Sequence, residues 1–197
     1  MSQPDARLAR ALSAIDAANA QDPNTLAVRG ETRPKELAHA ELASEWVHRL
    51  EPSPSPALLL AARAHHVRRW EIPRSTEPAG RPGYHRWRRK LQEHHADVTR
   101  EILEAEGFAS DTVERVVALI RKQGLGRDPE VQILEDALSL VFVETQLEAL
   151  AARLDPEKML DVTRKTLRKM SPGALERARR MPLSDSAHAI LERASAD

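Results

Sequence analysis

The stretch Leu58-Leu59-Leu60-Ala61-Ala62-Arg63-Ala64-His65-His66-Val67 decides how the chain is read. Its first half is apolar on almost every face, and a helix of that kind belongs at the centre of a fold. Before it stands Pro52-Ser53-Pro54-Ser55-Pro56, a short rigid connector or helix start. The predicted helix runs from residue 57 to about residue 69. Two imidazoles therefore arrive at the end of a buried helix. Neighbouring residues on a helix point about 100° apart, yet at a helix end the backbone can relax and let both rings reach one cation.

Outward from this segment the chain reads as helix throughout. Ala, Leu, Arg and Glu dominate, and period-2 runs of β-branched residues are missing. One helix covers about 4–20, with Leu8, Leu12 and Ile15 on one stripe. The loop Gln21-Asp22-Pro23-Asn24 stops it. Another starts near Pro34, a favoured first-turn residue, and turns Leu37, Leu42, Trp46 and Leu50 inward. Residues 70–82 contain Pro73, Pro78, Gly80 and Pro82 and read as a loop, long enough to carry function. Helices follow over about 84–106, 111–123 and 128–154. Gly107 and Gly124 act as stops, and Asp111 with Glu114 forms a capping-box variant. Asp155-Pro156 and Ser171-Pro172 open two more helices. The expectation is an all-α fold, a single helical bundle of about eight helices over residues 1–197, with its core in about 4–154 and C-terminal helices over 155–197.

Composition bounds the chemistry. Thirty basic and thirty acidic side chains give zero formal charge, against a general polyanion binder but compatible with a local basic patch. The chain has no cysteine, so disulfides, thiolate-bound zinc and a thiol nucleophile are excluded. The N-terminal segment has no apolar stretch and carries Asp5 and Asp16, unlike a signal peptide. No apolar run approaches the roughly 20 residues of a membrane span. A cytoplasmic protein without a membrane partner is expected.

Histidine supplies the chemical signal. Seven of the eight histidines fall between residues 39 and 95, including the adjacent pairs His65-His66 and His94-His95. Imidazole with carboxylate is one way for a cysteine-free chain to hold a transition metal. On the second helix Glu36 precedes His39 by about one turn on a similar face, so either can supply a ligand. His95 has Thr99, Ile102 and Leu103 on its side of the helix and faces inward better than His94. His85 is a weaker candidate. His48 and His188 read as surface residues.

The pattern of a histidine on one helix, an apolar helix ending in a His pair, and the late Leu134-Glu135-Asp136-Ala137-Leu138 resembles the HD-domain superfamily of helical metal-dependent phosphohydrolases. His66 stands where that family has Asp. More locally the chain is similar to the family called domain of unknown function 4202. The likeness rests on Ile15-Asp16-Ala17-Ala18-Asn19-Ala20, Pro34-Lys35-Glu36-Leu37, His66-Val67-Arg68-Arg69-Trp70-Glu71-Ile72-Pro73-Arg74, and Leu134-Glu135-Asp136 with Val141-Phe142-Val143-Glu144. The HD resemblance implies a metal held by His65, His66 and Asp136 with His39 or Glu36, and His95 at a second position. One or two divalent ions are implied. Histidine in place of Asp makes the set nitrogen-rich and favours Fe, Mn, Co, Ni or Zn over magnesium. Glu36 or Glu135 would serve as general base.

Nine basic residues fall between Arg63 and Lys90 against only Glu71 and Glu77. Arginine presents a planar fork matched to phosphate oxygens. Arg69 and Arg74 are the expected substrate contacts, and Trp70, Tyr84 and Trp87 can stack on a base. Together these features predict metal-assisted hydrolysis of a phosphate ester or anhydride in a small nucleotide. Two rivals stand beside it: a di-iron, oxygenase-like enzyme on the same scaffold, and a non-catalytic module that binds nucleotide or RNA. A homodimer is left open.

Overall fold

Capping and burial together set where the helices lie. The computed structural model describes residues 3–196. Its helices in chain order are α1 (Gln3–Asn19), α2 (Lys35–Leu50), α3 (Pro56–Ala64), α4 (Arg81–Ala105), α5 (Ser110–Ile120), α6 (Pro129–Thr145), α7 (Leu147–Ala151), α8 (Pro156–Leu167), α9 (Pro172–Arg179) and α10 (Asp185–Ser195). The fold is mainly all-α, as expected. Helices α6, α8 and α9 begin with the predicted device, a capping side chain followed by proline, and α3 begins in the same way. Ser55 accepts from the Leu58 amide, Asp128 from Glu130 and Val131, Asp155 from Glu157 and Lys158, and Ser171 from Ala174.

Helix α3 is the hub, packing against α1, α2, α5 and α6. Leu58, Leu60, Ala61, Ala62 and Ala64 are fully buried. Alanine at three of these positions lets the neighbouring helices approach closely. Arg63 is the polar exception, and its guanidinium pairs with Asp16 of α1. Helix α2 lies between α3 and α6, α4 packs on α5 and α1, and α9 covers part of α6. Helices α8 and α10 pack on each other, with α7 beside both. Among the described residues no helix is long and apolar enough to cross a membrane.

Several boundaries differ from the sequence reading. Residues 25–34, where the sequence reading placed no strand, form an antiparallel hairpin of β1 (Thr25–Val28) and β2 (Glu31–Pro34), with Val28 opposite Glu31. Its turn, Arg29-Gly30, has both φ angles positive, the twist that a two-residue hairpin needs. Helix α3 stops at Ala64, so His65 is its cap and His66 lies beyond it. Helix α5 ends at Ile120 rather than near Gln123. The Asp111–Glu114 box does not form, because α5 starts one residue earlier and Glu114 pairs with Arg100. The helix predicted over 128–154 breaks at Gln146 into α6 and α7.

The segment between α3 and α4 contains two short 3-10 turns, Arg69–Glu71 and Arg74–Thr76. It is clamped to α4 along its length. Trp87 donates its indole N–H to the Ile72 carbonyl at 2.9 Å, and Glu77 pairs with both Arg86 and Lys90. Arg74 donates to the carbonyls of Glu77 and Pro78. Gly83 makes this approach possible, since a Cβ there would lie 2.0 Å from the Pro78 carbonyl oxygen. Gly83→Ala therefore displaces the segment and costs about 1–3 kcal/mol of stability. Urea denaturation followed by tryptophan fluorescence measures this; an unchanged midpoint and spectrum would mean that the segment does not rest on α4.

Candidate metal centre and cationic cavity

Glu36 opens α2, and its position is set before any histidine is considered. The Asp22 carboxylate accepts from the Glu36 backbone amide at 3.0 Å and from the Asn24 amide at 2.9 Å. Asp22 thereby ties the end of α1 to the start of α2, with the β1–β2 hairpin between them. The Glu36 side chain is buried, at 3% exposure. A buried carboxylate needs donors around it. It finds His39 one turn on and His66 beyond the end of α3, each with Nδ1 at 3.2 Å from Oε2. Arg69 adds an ion pair at 3.7 Å.

One donor atom from each of Glu36, His39 and His66 lies within 4.8 Å of the other two. This is a possible Glu/His/His metal-binding group.

The protonation pattern suits that use. A carboxylate or carbonyl oxygen only accepts, so each imidazole facing one must donate. His39 and His66 donate from Nδ1 to Glu36, His65 to the Ala62 carbonyl at 2.8 Å, and His95 to the Val67 carbonyl at 2.8 Å. His65, His66 and His95, held neutral by burial, thus carry their proton on Nδ1 and leave Nε2 as a bare lone pair. That is how metal-binding histidines are ordinarily oriented by their surroundings. The Nε2 atoms of His39 and His95 are buried without a hydrogen-bond partner, so a cation would satisfy them.

The electrostatics keep His65, His66 and His95 neutral. Burial pushes His66 down to about 3, against the opposing pull of Glu36. Burial likewise takes His95 to about 3 and holds His65 well below the ordinary imidazole value, with His66 adding to the effect. Burial alone would raise Glu36; His66 and His39 outweigh it and hold the carboxyl well below the usual range.

Beside this group opens a cavity of about 380 Å³. His65, His66 and His95 form its wall nearest the buried carboxylate. Arg69, Arg88, Arg89 and Lys122 also line it, together with Ile120, Leu134 and Leu138, and among the described residues no carboxylate does. His66 belongs to both the metal-ready group and the cavity wall. The rings of His65 and His66 are 4.2 Å apart and those of His66 and His95 5.6 Å apart.

Other expected site residues fall elsewhere. Asp136 is not with the histidines. Leu134 and Leu138 face the cavity, and a residue two positions from each points to the opposite side of a helix. There Asp136 accepts from Gln132 at 3.0 Å and from the Ser171 amide at 2.8 Å, holding the start of α9. Glu135 is no free base, because Lys122 and Lys169 both pair with it. Burial would raise its carboxyl, but the two ammonium groups bring it to about 2. Arg74 is used on loop carbonyls. Trp87 anchors the loop and has Arg69 and Arg74 against its ring, at 5.0 and 6.0 Å. Trp70 is half-buried outside the cavity lining. Tyr84 is exposed and 5.9 Å from the ring of His85, which lines the cavity. His48 is exposed, as expected, while His188 is half-buried.

The sequence reading did not select Arg88, Arg89 or Lys122. Arg88 and Arg89 lie in the basic run at the start of α4, where almost every residue is polar and no apolar stripe marks the inward face. Lys122 had no sequence signal, because its place depends on where α5 stops.

Two outcomes follow from this geometry. Asp136→Ala leaves the Ser171 amide unpartnered and costs about 1–3 kcal/mol, with metal content unchanged; loss of metal in this variant would return Asp136 to the site. The second concerns acid. His66 and His95 are lowered from 6.5, and Glu36 and Glu135 from 4.5. Each binds fewer protons folded than unfolded, so its stabilisation is present above the unfolded value and is lost on acidification. Stability of the metal-free protein therefore falls as pH drops from about 6.5 toward about 3 through the histidines, and further through the carboxylates. A flat urea midpoint across pH 6.5 to 4 would contradict the neutral-histidine assignment.

Comparison with known proteins gives one match, a family model described as Domain of unknown function (DUF4202), over residues 9–191. No curated protein and no solved structure matches the chain.

Proposed function

From the premise that this chain belongs to the DUF4202 family, whose description carries no activity, we propose that it is a metal-dependent phosphohydrolase acting on a phosphate ester or anhydride of a small nucleotide. The observation that carries this reading is the junction at His66. A Glu/His/His group suited to a cation meets a cavity whose charged lining is entirely cationic. Metal beside a guanidinium-rich pocket is the arrangement an anionic substrate needs.

Glu36, His39 and His66 would hold the ion, and His65 and His95 would hold a second one through Nε2. Two or more imidazoles with one carboxylate favour Fe, Mn, Co, Ni or Zn. A bound ion would acidify a water and polarise a phosphoryl oxygen. The remaining work belongs to the side chains. Arg69 touches Glu36 and also lines the cavity, so it would orient a phosphoryl group next to the metal group. Arg88, Arg89 and Lys122 would neutralise the rest of the anion. Tyr84 and His85 at the mouth would offer ring faces to a base.

Elemental analysis of protein purified without an affinity tag tests this directly. About one or two equivalents of a transition metal are expected, falling about tenfold or more in Glu36→Gln and His66→Ala. Hydrolysis of bis(p-nitrophenyl) phosphate or of nucleotides falls with it. Arg69→Ala retains the metal and raises KM. Full metal content in both ligand variants would remove the triad from the proposal.

A further inference from the structure

We infer that the substrate carries a linear chain of two or more phosphates, held by a row of cations running from Arg69 past Arg88 to Lys122. This deepens the phosphohydrolase reading and rests on it for the identity of the cavity as the substrate site. Its observation is the lining, where Arg69, Arg88, Arg89 and Lys122 share one cavity and, among the described residues, no carboxylate joins them. Arg88 is close enough to both Arg69 and Lys122 for its charge to act on each, and Lys169 acts on Lys122 in the same way. A single phosphate needs one or two such partners. Four cations in one cavity match an anion whose charge is spread over several groups.

Lys122 supplies the independent observation. Helix α5 ends in a Schellman motif, with the Lys122 amide bonded to the Leu119 carbonyl and the Gln123 amide to the Ala118 carbonyl. The residue in the left-handed position of that motif is ordinarily glycine. Helix α4 obeys the rule, with Gly107 at φ 76° and the Gly107 and Phe108 amides bonded to Glu104 and Leu103. Helix α5 instead places Lys122 there, at φ 54°. A non-glycine residue held in this conformation carries a local conformational cost. In return its ammonium lines the cavity, fixed from behind by Glu135. Glu135 is shared with Lys169 at 2.9 Å, so two ammonium groups stand against one carboxylate.

The test is calorimetric titration of the full chain, stripped of metal and freed of chelator, with orthophosphate, pyrophosphate and tripolyphosphate. Binding should tighten along that series, with tripolyphosphate about tenfold or more tighter than orthophosphate. Lys122→Gly suits the backbone conformation and leaves Glu135 paired with Lys169, so it is expected to fold; thermal melting checks it. Arg88→Met changes an exposed side chain and provides a second variant. Each should remove most of the tripolyphosphate advantage and shift orthophosphate by less than about threefold. Equal affinity for orthophosphate and tripolyphosphate would overturn the inference, as would an advantage that survives in both folded variants.

Adenosine triphosphate distinguishes two sources of such a chain. Tighter binding than tripolyphosphate points to a nucleotide, and equal binding to the phosphate chain alone; both support the row. The binding series also separates this inference from the hydrolase reading. Chain-length preference without turnover in metal-loaded protein would sink the hydrolase reading only. Turnover of monophosphate esters without chain-length preference would sink the inference only.

Discussion

A carboxylate taken out of water has to be surrounded, and the burial of Glu36 is the constraint on which the rest of this site depends. Desolvation disfavours its charge. The fold answers with His39 from the same helix, His66 from beyond α3 and Arg69 from the following turn. Those partners tie α2 to the end of the central helix. Asp22 then ties Glu36 back to the end of α1. The packing of α3 against four neighbouring helices makes the arrangement rigid, because Leu58, Leu60 and its alanines leave the helix no freedom to shift.

Neutral imidazoles beside an ionised carboxylate form a donor set. The same groups would be a liability in an apolar core, where two buried Nε2 atoms lack partners. Their position on the edge of a cavity makes sense of them. The charged side chains that line this cavity, Arg69, Arg88, Arg89 and Lys122, are cationic, and Glu135, which pairs with Lys122, is not part of the lining. A chain with no net charge thus presents a one-signed surface at one place. Charge separation of this kind needs a fold to sort the residues, and composition alone cannot reveal it.

The failure at Asp136 has a simple geometric cause. A late acid after Leu134 fits the pattern of a metal ligand when read along the chain. On the helix, the cavity face is defined by Leu134 and Leu138, and Asp136 lies on the reverse. Glu36 shows the opposite case. Beside His39 it read as a competing ligand, and the structure brings both to the same point, one helical turn apart. Lys122 was not legible, since a backbone position that usually selects glycine gives no hint that a lysine will fill it.

The sequence by itself determined the helical class, the cap-and-proline helix starts, the central place of residues 58–64 and the family. Each of these is local: it depends on periodicity, on a side chain three residues from an amide, or on a run of apolar residues. It also placed seven of the eight histidines between residues 39 and 95 and nine basic residues between Arg63 and Lys90. Which of them meet was decided by tertiary structure alone. His39, His66 and Glu36 converge because α3 ends at Ala64 and the chain turns back toward α2. Lys122 reaches the cavity because α5 ends early and α6 supplies Glu135 behind it. Contacts across such distances depend on helix phase and on exact ends, and a shift of one residue rotates a side chain by about 100°.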